Sequence, residues 1–406
     1  MKNLRALVIF AVGAACSFSL GCGGGSSHTN VITTQGANVV PITVNTGASN
    51  SGFLYANGAF TSVTVCVPGT STCQTIGEVL VDTGSPGLRI VSSALTIALP
   101  QQKTVTGNPV VECLAFVASY TWGPVQTADL QIAGEKASSV PIQVLSDTDF
   151  TVPSACASSG MNNPADTVQS LGANGILGVG LAAQDCGPSP ECVTTGNAGL
   201  YYECPSQNCA TTGTNTPEAL AQQVVNPVAL FPTDNNGVIV ELPAVPGAEA
   251  TVSGSLVFGI GTQSNNGLGG ATVYTTHALG NFTTSYNGQA YSSSFIDSGS
   301  NGYFFLDSSV PGVPPTCADN PGFYCPNGTT PFSVTNQGNN GAKGAIKFSV
   351  ANADNFFNTG DAAFGGLGGT FSGAFDWGLP FFYGRNVFVA IEGASTPGGP
   401  GPYWAY

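Results

Sequence analysis

Charged side chains are scarce in this sequence of 406 residues, and positive ones are the scarcest. Lys and Arg contribute eight residues and Asp and Glu 22, so only 7% of the chain is charged and the formal net charge is -14. A surface with this balance repels phosphate groups, which argues against binding to nucleic acid or to an anionic membrane. Because 42% of the residues are hydrophobic, the low charge does not indicate a disordered chain.

Histidine is also rare, and the cysteine spacing typical of zinc sites is missing. Only two His are present, and no Gly-x-Ser-x-Gly segment accompanies His277, so we do not expect a Ser-His-Asp triad. No two cysteines have the Cys-x2-Cys spacing of structural zinc sites. We therefore expect neither a metal nor a cofactor.

Long apolar runs are confined to the N-terminus. Two basic residues precede an apolar stretch there, which is the pattern of a secretory signal over residues 1–21. Leu-Gly-Cys at 20–22, followed by Gly-Gly-Gly-Ser-Ser, is similar to a bacterial lipoprotein cleavage site. Cys22 would then carry the lipid, and residues 22–38 would form a flexible tether. Plain secretion with cleavage nearby is the alternative.

Turn-forming residues, in contrast, are abundant. The 55 Gly and 27 Pro divide the chain into short β-branched runs, and helical periodicity is rare, so we predict an all-β fold with a few short helices. The strongest helix signal covers residues 217–225. One hairpin is predicted to turn at Gly123 and Pro124, and another to cover residues 228–242. Residues 184–216, with four cysteines, are predicted to form a surface insertion.

One short motif occurs twice. Residues 80–88 read Leu-Val-Asp-Thr-Gly-Ser-Pro-Gly-Leu, and residues 295–303 read Phe-Ile-Asp-Ser-Gly-Ser-Asn-Gly-Tyr. Each copy follows a predicted hairpin and places an aspartate just before a turn that glycine permits. Such a turn directs a carboxylate out of a sheet. Two copies therefore predict two similar lobes, with Asp82 and Asp297 facing each other across a cleft.

Two carboxyl groups in close proximity ionise as a coupled pair and share a proton. The ionised group can take a proton from water, and the protonated one can hydrogen-bond a substrate carbonyl, which together are the chemistry of amide hydrolysis. The remaining motif residues are expected to support the pair by linking the loops (Thr83, Ser298), by allowing close approach (Gly84, Gly299) and by orienting the outer oxygens (Ser85, Ser300).

Ten of the twelve cysteines remain when Cys16 and Cys22 in the N-terminal region are set aside. An even number in an exported chain indicates disulfide bonds. The spacing favours four local bridges and leaves one further pair, although other pairings are open: Cys66–Cys73, Cys186–Cys192, Cys204–Cys209, Cys317–Cys325 and Cys113–Cys156.

With these motifs, the chain resembles the pepsin-like aspartic peptidases over roughly residues 39–406. The match includes both Asp motifs, Asn-Gly-Ile-Leu-Gly-Val-Gly at 174–180, and Gly-Ser-Leu-Val-Phe-Gly at 254–259. The resemblance implies a bilobal, mainly β architecture with a cleft between two pseudo-symmetric lobes. We place the N-terminal lobe at 39–235 and the C-terminal lobe at 236–406.

The same resemblance implies a glycine beneath the second Asp loop and a tyrosine in a mobile flap over the cleft. Gly378 and Gly384 both match the glycine, and the sequence does not decide between them. The nearest match to the flap is Tyr120-Thr-Trp122 followed by Gly and Pro at 123–124, where the proline would stiffen the tip. Tyr120 and Trp122 are therefore the flap candidates.

The whole chain is also similar to a proteobacterial lipoprotein family known only as a domain of unknown function. The shared features are the signal region, both Asp motifs and the tail Gly-Pro-Tyr-Trp-Ala-Tyr at 401–406. We predict a monomeric aspartic endopeptidase that acts on a peptide or protein substrate. It would be exported to the Gram-negative cell envelope and touch the membrane only through its lipid. The alternative is a catalytically inactive envelope lipoprotein that holds a peptide or glycan in the cleft.

Overall fold

The short apolar runs form strands in the computed structural model, which describes residues 30–145, 149–159, 162–277 and 280–406. The predicted signal peptide and Cys22 lie outside the described residues. The strands are β1 (Val39–Asn45), β2 (Gly58–Cys66), β3 (Cys73–Asp82), β4 (Pro86–Val91), β5 (Val110–Ala115), β6 (Tyr120–Ile132), β7 (Glu135–Leu145), β8 (Gly175–Val179), β9 (Tyr201–Glu203), β10 (Thr214–Asn215), β11 (Gly237–Leu242), β12 (Ala248–Glu249), β13 (Val252–Phe258), β14 (Val273–Thr275), β15 (Phe282–Tyr286), β16 (Gln289–Ile296), β17 (Tyr303–Leu306), β18 (Thr330–Gln337), β19 (Lys343–Val350), β20 (Ala363–Phe364), β21 (Gly368–Gly369), β22 (Phe371–Trp377), β23 (Arg385–Ala390), β24 (Ser395–Thr396), β25 (Gly399–Pro400) and β26 (Tyr403–Ala405). The α-helices are α1 (Ser154–Ser159), α2 (Val168–Leu171), α3 (Cys209–Thr212) and α4 (Ala353–Phe357).

The strands form two large sheets, and the first of them contains strands from both halves of the chain. The mainly β, bilobal prediction is confirmed. One sheet has the strand order β10-β9-β5-β6-β7-β4-β8-β3-β2-β1-β13-β11-β23-β26-β14. Strand β1 joins the halves of this sheet, because it pairs with β2 on one side and with β13 on the other. The second sheet, β19-β18-β15-β16-β22-β17-β21, belongs to the C-terminal lobe. One hydrophobic core contains residues of both sheets.

The two Asp motifs are positioned by the same local arrangement of strands. The hairpins β2–β3 and β15–β16 lead into the two motifs. Strand β3 then lies parallel to β8, and β16 lies parallel to β22. The strand after each motif, β4 or β17, pairs antiparallel with that same partner. The duplicated motif in the sequence therefore corresponds to a duplicated strand arrangement.

The predicted turn between β15 and β16 has the backbone that its sequence requires. Asn287 and Gly288 have φ values of 48° and 82°. Positive φ at both central residues is the signature of a type I′ turn, which suits the twist of a hairpin. The hairpin into the first motif is instead closed at its far end by the Cys66–Cys73 disulfide.

The predicted hairpin turn at Gly123 and Pro124 is wrong. Both residues lie inside β6, where they pair with Glu112 and Val111 of β5. The turn of this hairpin is formed by residues 116–119, between β5 and β6. A Cβ on Gly123 would lie 1.8 Å from the carbonyl oxygen of Val144, so this glycine serves close packing between strands rather than chain reversal.

The predicted helix over residues 217–225 is also wrong. Only Leu220–Gln222 forms a 3₁₀ turn, and the chain is extended on both sides of it. The amide of Gln223 is buried, accepts a hydrogen bond from Gly187 N at 2.8 Å and donates one to Glu218 O at 3.0 Å. These tertiary contacts override the local helix preference. Residues 227–230 likewise form a 3₁₀ turn rather than one arm of a hairpin.

The five predicted disulfides are confirmed. They join Cys66 to Cys73, Cys113 to Cys156, Cys186 to Cys192, Cys204 to Cys209 and Cys317 to Cys325. The cysteine-rich segment at 184–216 also adds β9 and β10 to the edge of the large sheet beside β5.

The described part of the predicted tether, residues 30–38, packs against the C-terminal half. The backbone N–H of Thr33 donates to the carboxylate of Glu241 at 2.5 Å, and Asn38 Nδ2 donates to Phe258 O at 2.9 Å. Among the described residues, no helix combines the length and the apolar composition needed to cross a membrane.

Candidate active site

Each aspartate lies where its strand gives way to a loop. Asp82 ends β3, and Asp297 directly follows β16. In both loops the glycine two residues further on donates its N–H to the inner carboxyl oxygen at 2.7 Å. The outer oxygen of Asp82 accepts a hydrogen bond from Ser85, and that of Asp297 accepts one from Ser300 at 3.0 Å. The motif therefore fixes the orientation of each carboxyl group.

The two loops approach so closely that glycine is required in both. A Cβ on Gly84 would lie 2.6 Å from Cγ of Asp297, and one on Gly299 would lie 2.9 Å from Oδ1 of Asp82. The same Cβ on Gly299 would lie 3.1 Å from Oδ1 of Asp297, so the two carboxyl groups are neighbours. The structure thus brings together the two aspartates that the sequence predicted to meet.

Reciprocal hydrogen bonds link the loops beneath the carboxyl groups. Thr83 N donates to Ser298 Oγ at 3.1 Å, and Ser298 N donates to Thr83 Oγ1 at 2.9 Å. Ser298 Oγ in turn donates to Val81 O at 2.7 Å. Both side chains are buried. This link joins the lobes at the point where the aspartates meet.

We expect Ser298→Ala to lower the free energy of unfolding by about 1–3 kcal/mol, because the buried Val81 carbonyl and Thr83 N–H would lose their partner. Urea unfolding at constant pH measures the loss. Ser292→Ala, on an exposed position of β16, is the matched control and should change the stability little. A Ser298→Ala variant as stable as this control would contradict the role of the link.

The electrostatics of the pair favour a shared proton. Burial is the main cause that raises the pKa of Asp82 well above its ordinary value, and the neighbouring Asp297 carboxyl raises it further. The hydrogen bonds from Ser85 and Gly84 act in the opposite direction without cancelling the shift. Asp82 therefore holds a proton at pH values where an exposed aspartate is ionised.

Two cavities adjoin the first Asp loop, and one of them contains the pair. A cavity of about 470 Å³ contains Asp82 and Asp297 in its lining, together with residues 114–119 of the β5–β6 hairpin. A second cavity of about 330 Å³ is lined by Thr83 of the first Asp loop and by Leu181, Asn281 and Trp404. The two cavities share Gly84, Ser85, Pro86 and Phe295.

Comparisons with known proteins place the chain in a family. The family described as protein of unknown function (DUF3443) matches residues 34–406. The chain belongs to this family. No curated protein matches this chain. Among solved structures, it is similar to the aspartic proteinase from Irpex lacteus, with 14% identity, a TM-score of 0.48, and coverage of 90% of this chain and 96% of that chain.

The flap candidates are not where the sequence placed them. Tyr120 and Trp122 are buried in a cluster with Tyr202 and the Cys113–Cys156 disulfide, and neither lines the cavity around the aspartates. The hairpin tip that reaches the cavity is formed by residues 116–119, where Val117 is exposed. The flap prediction was wrong because Gly123 and Pro124 lie inside β6 and do not form the turn of the hairpin.

The glycine beneath the second Asp loop is Gly378. A Cβ there would lie 2.5 Å from Ser300 O, just as one on Gly178 would lie 2.7 Å from Ser85 O in the first lobe. Gly384 instead faces Ala244. The strand arrangement therefore decides a choice that the sequence left open.

Tyr55 is a site residue that the sequence analysis missed. It belongs to the loop between β1 and β2, lines the cavity around the pair, and packs edge-on against Phe60 with ring centroids 5.4 Å apart. Burial raises the pKa of its hydroxyl, with smaller contributions from Asp297 and Asp82. The phenol therefore stays protonated and can donate a hydrogen bond. The available signal was a Phe-Leu-Tyr triplet at 53–55 within a Gly- and Ser-rich loop.

Asp376 is the second residue that the sequence did not reveal. It lies in β22, is 5% exposed, and its Oδ2 lies at hydrogen-bond distance, 2.6 Å, from Ser300 Oγ. Ser300 is the same serine that contacts Asp297. The signal in the sequence was a single acidic residue within the aromatic run at 371–382.

Proposed function

We propose that the protein is an aspartic endopeptidase in which Asp82 and Asp297 activate a water molecule. The observation that carries this proposal is the paired geometry: the glycine of each Asp loop lies against the carboxyl group of the other loop, and each carboxyl group is held by a backbone N–H and a serine hydroxyl. Such a pair holds one proton between two groups and can act as base and acid in the same step.

The proposed reaction needs only the pair, water and the peptide. The ionised carboxylate takes a proton from water while the water oxygen bonds to the carbonyl carbon, and the protonated carboxyl gives its proton to the carbonyl oxygen. The resulting tetrahedral diol then collapses. The carboxyl group that took the proton from water gives it to the amide nitrogen, and a hydroxyl of the diol returns its proton to the other carboxylate as the C–N bond breaks. An acid and an amine leave, and the pair is back in its starting state.

The cleft supports internal cleavage of an extended peptide rather than removal of single terminal residues. Two cavities adjoin at the first Asp loop, where they share Gly84, Ser85 and Pro86, so they offer room for more than one residue of an extended chain. The apolar lining that includes Leu80, Leu114 and Ile176 favours hydrophobic side chains near the cleavage point.

The test is cleavage of an unfolded protein between pH 3 and 7, followed by mass spectrometry of the products. We expect internal cleavage by the wild type and none by Asp82→Asn. Activity should extend above pH about 4, where an ordinary aspartate ionises, because the raised pKa of Asp82 keeps one proton on the pair. Absence of products throughout this range would reject the proposal.

A second candidate is a binding protein that uses the same cleft without turnover. The observation that favours it is the hairpin over the cavity, whose tip at 116–119 carries no glycine and whose Tyr120 packs elsewhere. Saturable peptide binding by the wild type, unchanged in Asp82→Asn and without product formation, would support this candidate.

We further propose that the protein is exported and anchored in the cell envelope by a lipid on Cys22. Five disulfides suit an oxidising compartment. Cells fed a labelled fatty acid should label the wild type and the Cys16→Ser control. Cys22→Ser should stay unlabelled and leave the membrane fraction. Equal labelling of both variants would refute this anchor.

A further inference from the structure

A third carboxyl group lies beneath the proposed catalytic pair. Asp376 occupies β22, where its neighbours are Phe295 of β16 on one side and Phe304 of β17 on the other. Phe295 lines both cavities of the cleft. Because paired residues on adjacent strands project to the same face of a sheet, the Asp376 side chain points toward the cleft floor.

The first lobe has no equivalent carboxyl group. The residue that takes the place of Asp376 there is Ile176, since β8 sets Ile176 beside Leu80 as β22 sets Asp376 beside Phe295. The site is therefore symmetric in its two aspartates and asymmetric one layer below them. Ser85 serves a single carboxyl group, whereas Ser300 contacts two.

The hydrogen bonds around Ser300 require a proton on one of the two carboxyl groups that it contacts. Its Oγ lies 2.6 Å from Oδ2 of Asp376 and 3.0 Å from Oδ2 of Asp297, yet a hydroxyl has one proton to donate. If both carboxyl groups were ionised, one of the two short contacts would join two electron-rich oxygens without a proton. A proton on Asp376 removes the conflict, because Asp376 then donates to Ser300 and Ser300 donates to Asp297.

The surroundings of Asp376 also disfavour its ionised form. The second oxygen, Oδ1, is buried and has no hydrogen-bond partner. The charged groups that face it are Asp297 and Asp82, and both are acidic. In the described part of the chain, the carboxylates that form ion pairs are Glu112 and Asp185, both with Arg89, so Asp376 has no cation to balance a charge. Burial raises the pKa of Asp376 well above its ordinary value, and Asp297 and Asp82 add to this effect.

We propose that Asp376 is a positioning residue of this site: its protonated carboxyl donates to Ser300, which then commits its own proton to Asp297. This inference rests on the proposed function. The bond from Ser300 to Asp297 then matches the bond that Ser85 gives to Asp82, so each carboxyl group of the pair has one serine donor.

The proposal predicts a third titration in the pH profile. When Asp376 ionises, Ser300 faces two carboxylates and a second negative charge enters the buried site, so activity falls on the alkaline side. Asp376→Asn does not titrate, and its amide can still donate to Ser300. Asp376→Leu has a similar volume but offers no donor.

The first readout is kcat/KM as a function of pH. We expect Asp376→Asn to keep the acidic limb of the wild-type profile and to extend the alkaline limb by about one pH unit. Asp376→Leu should lose about tenfold or more at every pH, since the donor to Ser300 is gone. Equal losses in both variants, with an unshifted profile, would show a merely structural role and overturn the proposal.

The second readout does not need turnover, so it separates this proposal from the proposed function. Folded Asp376 keeps a proton that the unfolded chain releases above pH about 4, so this proton stabilises the folded state fully below that pH and less as the pH rises. The unfolding midpoint of Asp376→Asn should therefore rise relative to wild type between pH 4 and 7. In an Asp297→Asn background this pH-dependent gain should shrink. A gain that is independent of pH, or unaffected by Asp297→Asn, would overturn the proposal even if the wild type cleaves nothing.

Discussion

The Asp297→Asn variant is expected to cleave peptides about a thousandfold more slowly than the wild type. An amide cannot accept the proton of the attacking water, and it cannot share a proton with Asp82. The loop should keep its main hydrogen bond. In the wild type Gly299 N donates to Asp297 Oδ1 at 2.7 Å, and the carbonyl oxygen of asparagine can accept the same bond. The loss should therefore be in kcat rather than in folding.

The controls for this prediction come from the same chain. Asp319→Asn removes an exposed carboxyl group and should leave kcat unchanged. The double variant with Asp82→Asn should be no slower than either single variant, because two groups that act as a unit have non-additive effects. An Asp297→Asn enzyme within about tenfold of wild type would place the chemistry elsewhere.

The largest expected change in stability comes from a buried charge cluster in the N-terminal lobe. Arg89 of β4 is fully buried, and its Nη2 lies 2.8 Å from Glu112 Oε1 and 3.6 Å from Asp185 Oδ2. Tyr201 donates to Asp185 Oδ1 at 2.7 Å. Arg89 Nη1 also donates to Pro86 O at 2.6 Å, which connects the cluster to the first Asp loop.

We expect Arg89→Met to lower the free energy of unfolding at pH 7 by about 3–5 kcal/mol, because it leaves two carboxyl groups buried without a cation. Burial and the Glu112 charge already raise the pKa of Asp185 well above its usual range, even with Arg89 present. Protonation relieves the unpaired charge in the folded state, so the deficit should shrink as the pH falls from 7 to 4. Urea unfolding at several pH values measures both effects.

Two further variants make this prediction specific. Lys136→Met removes an exposed cation from β7 and should cost little. Adding Glu112→Gln and Asp185→Asn to Arg89→Met should restore part of the lost stability, because the uncompensated charges are gone. A deficit that is the same at every pH and in the triple variant would mean that the loss comes from packing alone.

The features that the sequence predicted correctly are those encoded by local patterns that occur twice. Asp82 and Asp297 were found because turn chemistry, strand alternation and motif spacing agree in both copies. The loop link through Thr83 and Ser298 followed from the same comparison. The disulfides were also local, since most of them close short loops.

The features that the sequence did not predict depend on long-range pairing. Gly123 is explained only by the approach of Val144 from a neighbouring strand, and no local rule contains that contact. Gln223 is extended because its side-chain amide forms two of its three hydrogen bonds with Gly187, 36 positions earlier. Asp376 joins the site through Ser300, 76 positions away. Tyr55 likewise reaches the pair only because the fold brings the β1–β2 loop to the cleft.

The order of the disulfides has a consequence for how the native bonds can form. Among the ten cysteines that the structure describes, every bridge joins two that are consecutive along the chain, and four of the five bridges span eight residues or fewer. A polypeptide that emerges into an oxidising compartment from its N-terminus would meet each correct partner before any wrong one. Its oxidative maturation could then proceed during translocation, without the slow reshuffling that crossed connectivities require.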